Sequence, residues 1–352
     1  MSLELPVLRL GLAGFSAAQK SELDAVVQAA APGGHQWKLS RFVDADAWWV
    51  SGAQAELQED GNVRVAPAIP TERQLKLDLA QVNRPIAFTL PLAARNFEPA
   101  YTFLPQSAPA VTSVLQKFEA WLQPQAAQFA LAARILEQES VLGTGIYHVH
   151  LNDTLLAVVN MKGDVGLLRS AAPTDFDDAV WTRRPYGDTA IPKQFLRVSL
   201  SETMWYYAVR TMRDVLPERY RMATLHFRRP PRIAPRLVTE SHLRLIREIA
   251  VAPSTFSQLQ ARTGMEPNRL ARKLAALYLV GTITSNPKRA GTTRPLSIEG
   301  GDPAHGMPHS GAHSTLDPVA AASQPSEPSA LAQPVRPVPP ADFTKPMPLT
   351  PH

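Results

Sequence analysis

Residues 240–287 read ESHLRLIREIAVAPSTFSQLQARTGMEPNRLARKLAALYLVGTITSNP, and their punctuation divides them into three short helices and a ribbon. Thr239 and Ser241 are placed to cap a first helix, whose Leu243, Ile246 and Ile249 recur at helical spacing and which Pro253 ends. Ser254 or Thr255 caps a second helix, with Phe256 and Leu259 facing inward, and Gly264 stops it where a tight turn is needed. The third helix has Pro267 in its first turn. Leu270, Leu274, Leu277 and Tyr278 then fall along one side, and Arg269, Arg272 and Lys273 along the other. One face is therefore expected to enter a core while the opposite face stays cationic. Beyond Gly281, the run Thr282-Ile283-Thr284 is β-prone, and Asn286-Pro287 turns the chain toward Lys288 and Arg289.

With its turn at Gln258-Leu259-Gln260-Ala261-Arg262-Thr263-Gly264 and the basic helix behind it, this stretch resembles the winged helix-turn-helix domains of bacterial regulators. The resemblance covers residues 240–289. It implies a DNA reader whose groove-facing side chains are Asn268, Arg269, Arg272 and Lys273, with Lys288 and Arg289 on a basic wing. The other reading is a three-helix protein-docking module whose basic stripe is merely solvated.

Immediately upstream, residues 219–239 hold Arg219, Arg221, Arg228, Arg229, Arg232 and Arg236 among Pro230, Pro231 and Pro235. Prolines oppose a regular helix, so an extended basic connector is expected. Its Arg228, Arg229 and Arg232 could contact phosphates beside a docked helix, or pin the connector to acidic patches of the protein itself. Downstream the composition changes. Of the chain's 33 prolines more than a third lie after Gly300, among Ala, Ser, Gln and His, so 290–352 is expected to be a disordered Pro-rich tail. Pro337-Val338-Pro339-Pro340 in it could be a polyproline ligand or only a spacer.

The first 95 residues alternate strand and helix. Strands are expected at 8–13, 36–42, 47–53 and 85–92, with a Ser16-capped helix through Ala31 and a charged hairpin turning at Asp60-Gly61-Asn62. The order resembles a receiver domain of two-component signalling, in architecture rather than in motif. Gly14-Phe15-Ser16 stands where a receiver has its acidic pair, Ser51 follows the third strand in place of the phosphoacceptor Asp, and Leu90-Pro91 replaces the Lys after the last strand. The resemblance thus implies a degenerate receiver-like α/β domain that serves self-association or docking of a protein partner; an unrelated small α/β domain is the other reading. Gly11-Leu12-Ala13-Gly14 lacks the third glycine and the lysine of a phosphate loop and is read as a tight turn. Prolines at 99, 105 and 109 suggest a linker over 96–109.

Residues 110–218 are expected to form a central α+β module with an antiparallel sheet. Helices are predicted at 110–123 and 126–139, broken by Pro124, and a three-stranded meander at 146–151, 154–160 and 165–168. A loop over 173–193 is followed by a strand at 195–199. A helix from Ser201, apolar on most sides through Met204, Trp205, Tyr207 and Ala208, should be central. His148 and His150, two apart on a strand, share a face but lack a third ligand at a securing spacing. Asp175, Asp177, Asp178 and Asp188 lack the ligand pattern of a calcium loop and are read as a solvated acidic loop. Trp181, Arg183 and Arg184, with Tyr186, join an aromatic body to cationic forks, which suits an anionic or nucleotide ligand as well as simple packing.

A chain of 352 residues accommodates this multidomain α/β plus α+β layout. Its net charge of +5 and isoelectric point near 9.5 favour an anionic partner for the C-terminal half. Without cysteines there are no disulfides, thiolate metal sites or cysteine nucleophiles. No apolar run reaches the length of about eighteen residues that suggests a membrane span, and the start lacks a signal peptide's regions, so a cytoplasmic protein without membrane insertion is expected. Nucleophile elbow, complete phosphate loop and metal-binding trio are all missing from the sequence. The expectation is a signalling or transcriptional regulator without catalytic activity or cofactor, binding DNA through the winged helix. The alternatives are a protein-binding adaptor or scaffold in a signalling or motility pathway, and a nucleotide sensor acting through the central module.

Overall fold

Two five-stranded sheets and a three-helix unit are built around helices that they share. The computed structural model describes residues 4–30, 34–70, 72–94, 96–185 and 190–291. Leu8–Ala13 (β1), Trp37–Ser40 (β2), Ala47–Val50 (β3), Ile86–Thr89 and Thr102–Phe103 make an all-parallel sheet. Between β3 and Ile86 lies an antiparallel meander of Ala55–Leu57 (β4), Asn62–Val65 (β5) and Leu75–Asp78 (β6). Ile86–Thr89 is thus β7 and Thr102–Phe103 β8, and the parallel order is β2-β1-β3-β7-β8, the order of flavodoxin-like doubly wound sheets. The expected turn at Asp60-Gly61-Asn62 joins β4 to β5, with Gly61 at φ +78°.

This sheet is covered on both faces, which is why its strands read as continuous apolar runs. On one face lie Ala17–Ala30 (α1), begun by reciprocal bonds between Ser16 and Gln19, and the first half of a long helix, Ala108–Glu137 (α2). Leu8, Leu10, Trp37, Trp49, Val111, Leu115 and Phe118 form this core. The meander covers the other face through Val63, Val65 and Leu77 against Val50 and Phe88.

Two expectations need correction here. The stretch 96–109 is not a plain linker: it contributes β8, and the strand at 85–92 is penultimate, so Leu104 and Pro105 follow the last strand of the sheet. Nor does Pro124 break the helix. α2 runs through it because both halves have apolar faces to bury: Phe118 and Leu122 enter the first core, while Phe129, Leu131 and Ile135 enter the next.

The second sheet is antiparallel, ordered β12-β9-β10-β11-β13. Its strands are Ile146–Leu151 (β9), Thr154–Asn160 (β10), Asp164–Leu167 (β11), Val180–Arg184 (β12) and Leu196–Ser199 (β13). The meander was legible; β12 lies in the stretch expected to be loop and pairs with β9 as an edge strand. Leu200–Ala208 (α3) follows β13 directly, capped by Ser199. Its Met204 and Tyr207 enter the second core and its Trp205 and Ala208 a third, so the helix is central as its composition suggests.

That third core belongs to Glu240–Val251 (α5), Phe256–Thr263 (α6) and Pro267–Leu279 (α7). Thr255 caps α6, Gly264 ends it at φ +66°, and Glu266 caps α7 with Pro267 in its first turn. On α5 the buried residues are His242, Leu245 and Ile249. Leu243, expected inside, is 56% exposed, because α5 is rotated so that His242 packs on Trp205 of α3 at 4.5 Å between ring centroids.

The connector is also more structured than its prolines suggest. It holds a short helix, Arg219–Met222 (α4), and a strand, His226–Phe227 (β14), which pairs antiparallel with Ile283–Thr284 (β15). The ribbon behind α7 is therefore completed from upstream of α5, and Lys288 and Arg289 lie in a 3-10 turn, Pro287–Arg289, rather than in a projecting hairpin. Finally, a buried ion pair ties the first sheet to the end of α3: the Arg210 guanidinium donates to both oxygens of Asp46, and to the Val7 carbonyl at 3.1 Å. The described residues pack as one compact unit. The Pro-rich stretch 292–352 lies outside them.

Candidate functional site

The cationic side chains around α7 fall into two groups. The first is at its N-terminal end. Asn268, Arg269 and Arg272 are exposed and Lys273 is half-buried, while Leu270, Leu274 and Leu277 on the other side are fully buried. The division between apolar and cationic faces thus follows the spacing in the sequence. The four polar residues do not stand alone, however. With Glu266, His242 of α5, Val209 after α3 and Arg9 of β1 they line a cavity of about 390 Å³.

Each wall of that cavity is held in place. The Arg9 backbone N–H donates to Asp46 at 2.8 Å and its guanidinium to the Val209 carbonyl at 3.0 Å. Lys273 Nζ donates to Thr239 Oγ1 at 3.4 Å, and Thr239 Oγ1 lies 2.8 Å from His242 Nδ1. The Thr239 N–H also donates to Nδ1, at 3.4 Å, which leaves the proton of the neutral ring on Nε2. Nε2 is buried and has no hydrogen-bond partner. Burial first, then the charges of Lys273 and Arg9, hold the His242 pKa down at about 3. Burial, then Arg9 and Arg269, lower Lys273 to about 8. Cations here crowd one another, and the single carboxylate of the lining is already engaged: Glu266 accepts from the backbone N–H groups of Asn268 and Arg269 at 3.0 and 2.9 Å.

The second group lies at the opposite end of α7, about 20 Å away at 1.5 Å per residue. Arg228 and Arg232 are exposed and Arg229 is partly buried. The Arg228 and Arg229 backbone N–H groups donate to the Thr282 carbonyl, which brings both side chains over Gly281. Burial, then the charges of Arg232 and Arg228, lower the pKa of Arg229. The turn with exposed Lys288 and Arg289 is adjacent, the Gly291 N–H donating to the Phe227 carbonyl at 2.9 Å. The connector's arginines therefore divide. Arg221 pairs with Asp214, and Arg219 lies over the rings of Tyr220 and Tyr278. Arg228, Arg229 and Arg232, like Arg269, Arg272 and Lys273, form no ion pair among the described residues.

The other candidates are dispersed. On β12, Trp181 and Arg183 pair with Val149 and Tyr147 and share their face, whereas Arg184 pairs with Ile146 on the opposite one. Trp181 packs against the second core, 6.3 Å from the Tyr147 ring. Tyr186 lies outside the described residues. His148 and His150 do share a face, with ring centroids 5.9 Å apart, but no group of three His, Cys, Asp or Glu among the described residues could hold a metal ion. In the acidic loop Asp175 closes a turn by accepting from the Ala172 N–H and Asp177 pairs with Arg134; Asp188 lies outside the described residues. No helix among them is long and apolar enough to cross a membrane.

Arg9, Val209, His242 and Glu266 are the members of the site that the sequence did not reveal. A lone arginine between Leu8 and Leu10, in a strand buried on both faces, was the one available signal for Arg9. Compared with known protein families, curated proteins and solved structures, the chain matches none of them.

Proposed function

We propose that this protein is a non-catalytic regulator that binds duplex DNA, with α7 as the element presented to the groove. The observation that carries this reading is the two groups of cations at the ends of α7 that form no ion pair among the described residues. Cations held near one another without carboxylate partners raise the energy of the free protein, and a polyanion relieves it while releasing its own counterions. Asn268, Arg269 and Arg272 offer exposed donors at the start of the helix, where base edges are read, and Arg228, Arg229, Arg232, Lys288 and Arg289 supply phosphate contacts at the other end. The first parallel sheet, without the acidic groups of a phosphoacceptor, serves in this reading as the body on which α7 is mounted and as a surface for self-association or a protein partner.

Fluorescence anisotropy of the full chain with random-sequence duplex DNA tests the proposal. With about six phosphate contacts, the logarithm of the association constant should fall with the logarithm of salt with a slope near −5. Arg228→Ala/Arg229→Ala should make that slope shallower by about 2. Arg269→Ala/Arg272→Ala should weaken binding at every salt concentration. Absent binding, or binding indifferent to salt and to both variants, would overturn the DNA reading in favour of a protein-binding adaptor.

A further inference from the structure

We propose that the cavity between β1, α5 and the start of α7 is a binding site for a small phosphate-bearing anion, held by Arg9, Arg269, Arg272 and Lys273, with His242 in its wall. The inference does not depend on whether α7 reads DNA. Charge decides the sign of the ligand: four cations line the cavity against one carboxylate, and that carboxylate is occupied as the cap of α7. Asp46 and Asp44 favour the charge of Arg9, and Asp44 that of Lys273, but Asp46 is shared with Arg210 and Asp44 with Arg41, so positive charge stays in excess. His242 closes the wall between Arg9 and Lys273 as an uncharged ring, so it adds no counter-charge. It is 1% exposed, its Nδ1 is committed to Thr239, and its remaining donor has no acceptor.

Size and donor number narrow the class. A volume of about 390 Å³ lies within the range of small-ligand cavities, roughly 300–1,000 Å³, and suits a nucleotide-sized molecule or less. Three guanidinium groups and an ammonium supply more donors than a single carboxylate has lone pairs to accept, whereas a phosphate presents three oxygens, each able to take charge-assisted bonds. Because Arg269 and Arg272 belong both to this lining and to the exposed face of α7, an occupant would compete with duplex DNA for those two side chains.

Calorimetric titration of the full chain with sodium pyrophosphate and, separately, with GMP at constant ionic strength tests the site. Pyrophosphate should bind with one-to-one stoichiometry. Lys273→Met and Arg269→Ala should each weaken it at least tenfold, while Arg64→Ala, an exposed charge on β5, should leave it unchanged. Arg269 is exposed, so its variant keeps the test valid if Lys273→Met fails to fold. Side-chain nitrogen NMR should assign to His242 a neutral-ring signal, absent in His242→Gln, that persists below about pH 6 and shifts on saturation. Tighter binding of GMP than of pyrophosphate would assign the rest of the cavity to a nucleoside; the reverse would assign it to a smaller polyanion. Failure of both compounds to bind, or binding that Lys273→Met and Arg269→Ala leave intact, would overturn the proposal without touching the DNA reading, which is read from duplex binding, its salt slope and the Arg228→Ala/Arg229→Ala variant.

Discussion

At the scale of single residues, His242 shows how a local helix start becomes part of a long-range site. Thr239 fixes its Nδ1, Trp205 of α3 packs on its ring, and the charges facing it are Lys273 from α7 and Arg9 from β1. Its pKa is about 3 in the folded chain against 6.5 for an unperturbed histidine. As pH falls the unfolded chain takes the proton first, so the stability linked to this group is intact above pH 6.5 and is lost progressively toward pH 3. The limiting slope is about 1.4 kcal/mol per pH unit. Denaturant unfolding of the wild-type chain between pH 7 and 4.5 should therefore fall more steeply than that of His242→Gln, by about 1 kcal/mol per unit, whatever the absolute stability of the variant. Parallel curves would mean that His242 is not held neutral. Sequence alone did not single out this residue because nothing within α5 distinguishes it; its partners arrive from strands and helices far away in the chain. Arg269, Arg272 and Lys273 were legible because one helical face carries all three.

At the scale of elements, legibility followed how much of an element's cause is local. The turn between α6 and α7 is the clearest case: Thr255 and Gln258 begin α6, Gly264 ends it and Pro267 opens α7, all signals within one stretch. Gly264 sits at φ +66°, and a Cβ there would meet no atom within 4 Å, so substitution is opposed by backbone conformation and not by crowding. Gly264→Ala should thus cost about 1 kcal/mol. Chemical denaturation of the full chain measures that loss, and an unchanged midpoint would show that the turn relaxes to another conformation. Elements with distant causes were not legible. α2 continues past Pro124 because two separate cores each draw in one of its halves. β12 has only β9 beside it and exposes most of its side chains, so alternation is weak. β15 finds its partner in a proline-rich connector upstream of α5, where no hairpin turn announces the pairing.

At the scale of the whole molecule, two helices each serve two cores. α2 places Phe118 in the first core and Phe129 in the second, both fully buried, and α3 places Tyr207 in the second and Trp205 in the third. A helix cannot easily lose one half of its burial and keep the other, because the same run of backbone hydrogen bonds supports both. The Arg210–Asp46 pair adds a buried tie between the first sheet and the end of α3, and breaking one partner of such a pair leaves an uncompensated charge. The three cores are therefore expected to unfold together. Phe118→Ala and Phe129→Ala should each cost about 3–5 kcal/mol and shift one common transition, with far-ultraviolet circular dichroism and tryptophan fluorescence coinciding. Fluorescence is informative here because Trp37 and Trp49 report on the first core and Trp205 on the third. A split transition, with Phe118→Ala moving only the early part, would show that the first sheet melts independently. Arg9 and His242 would then part before α7 unfolds, and any ligand in the cavity between them would act by holding the first sheet against the three-helix unit.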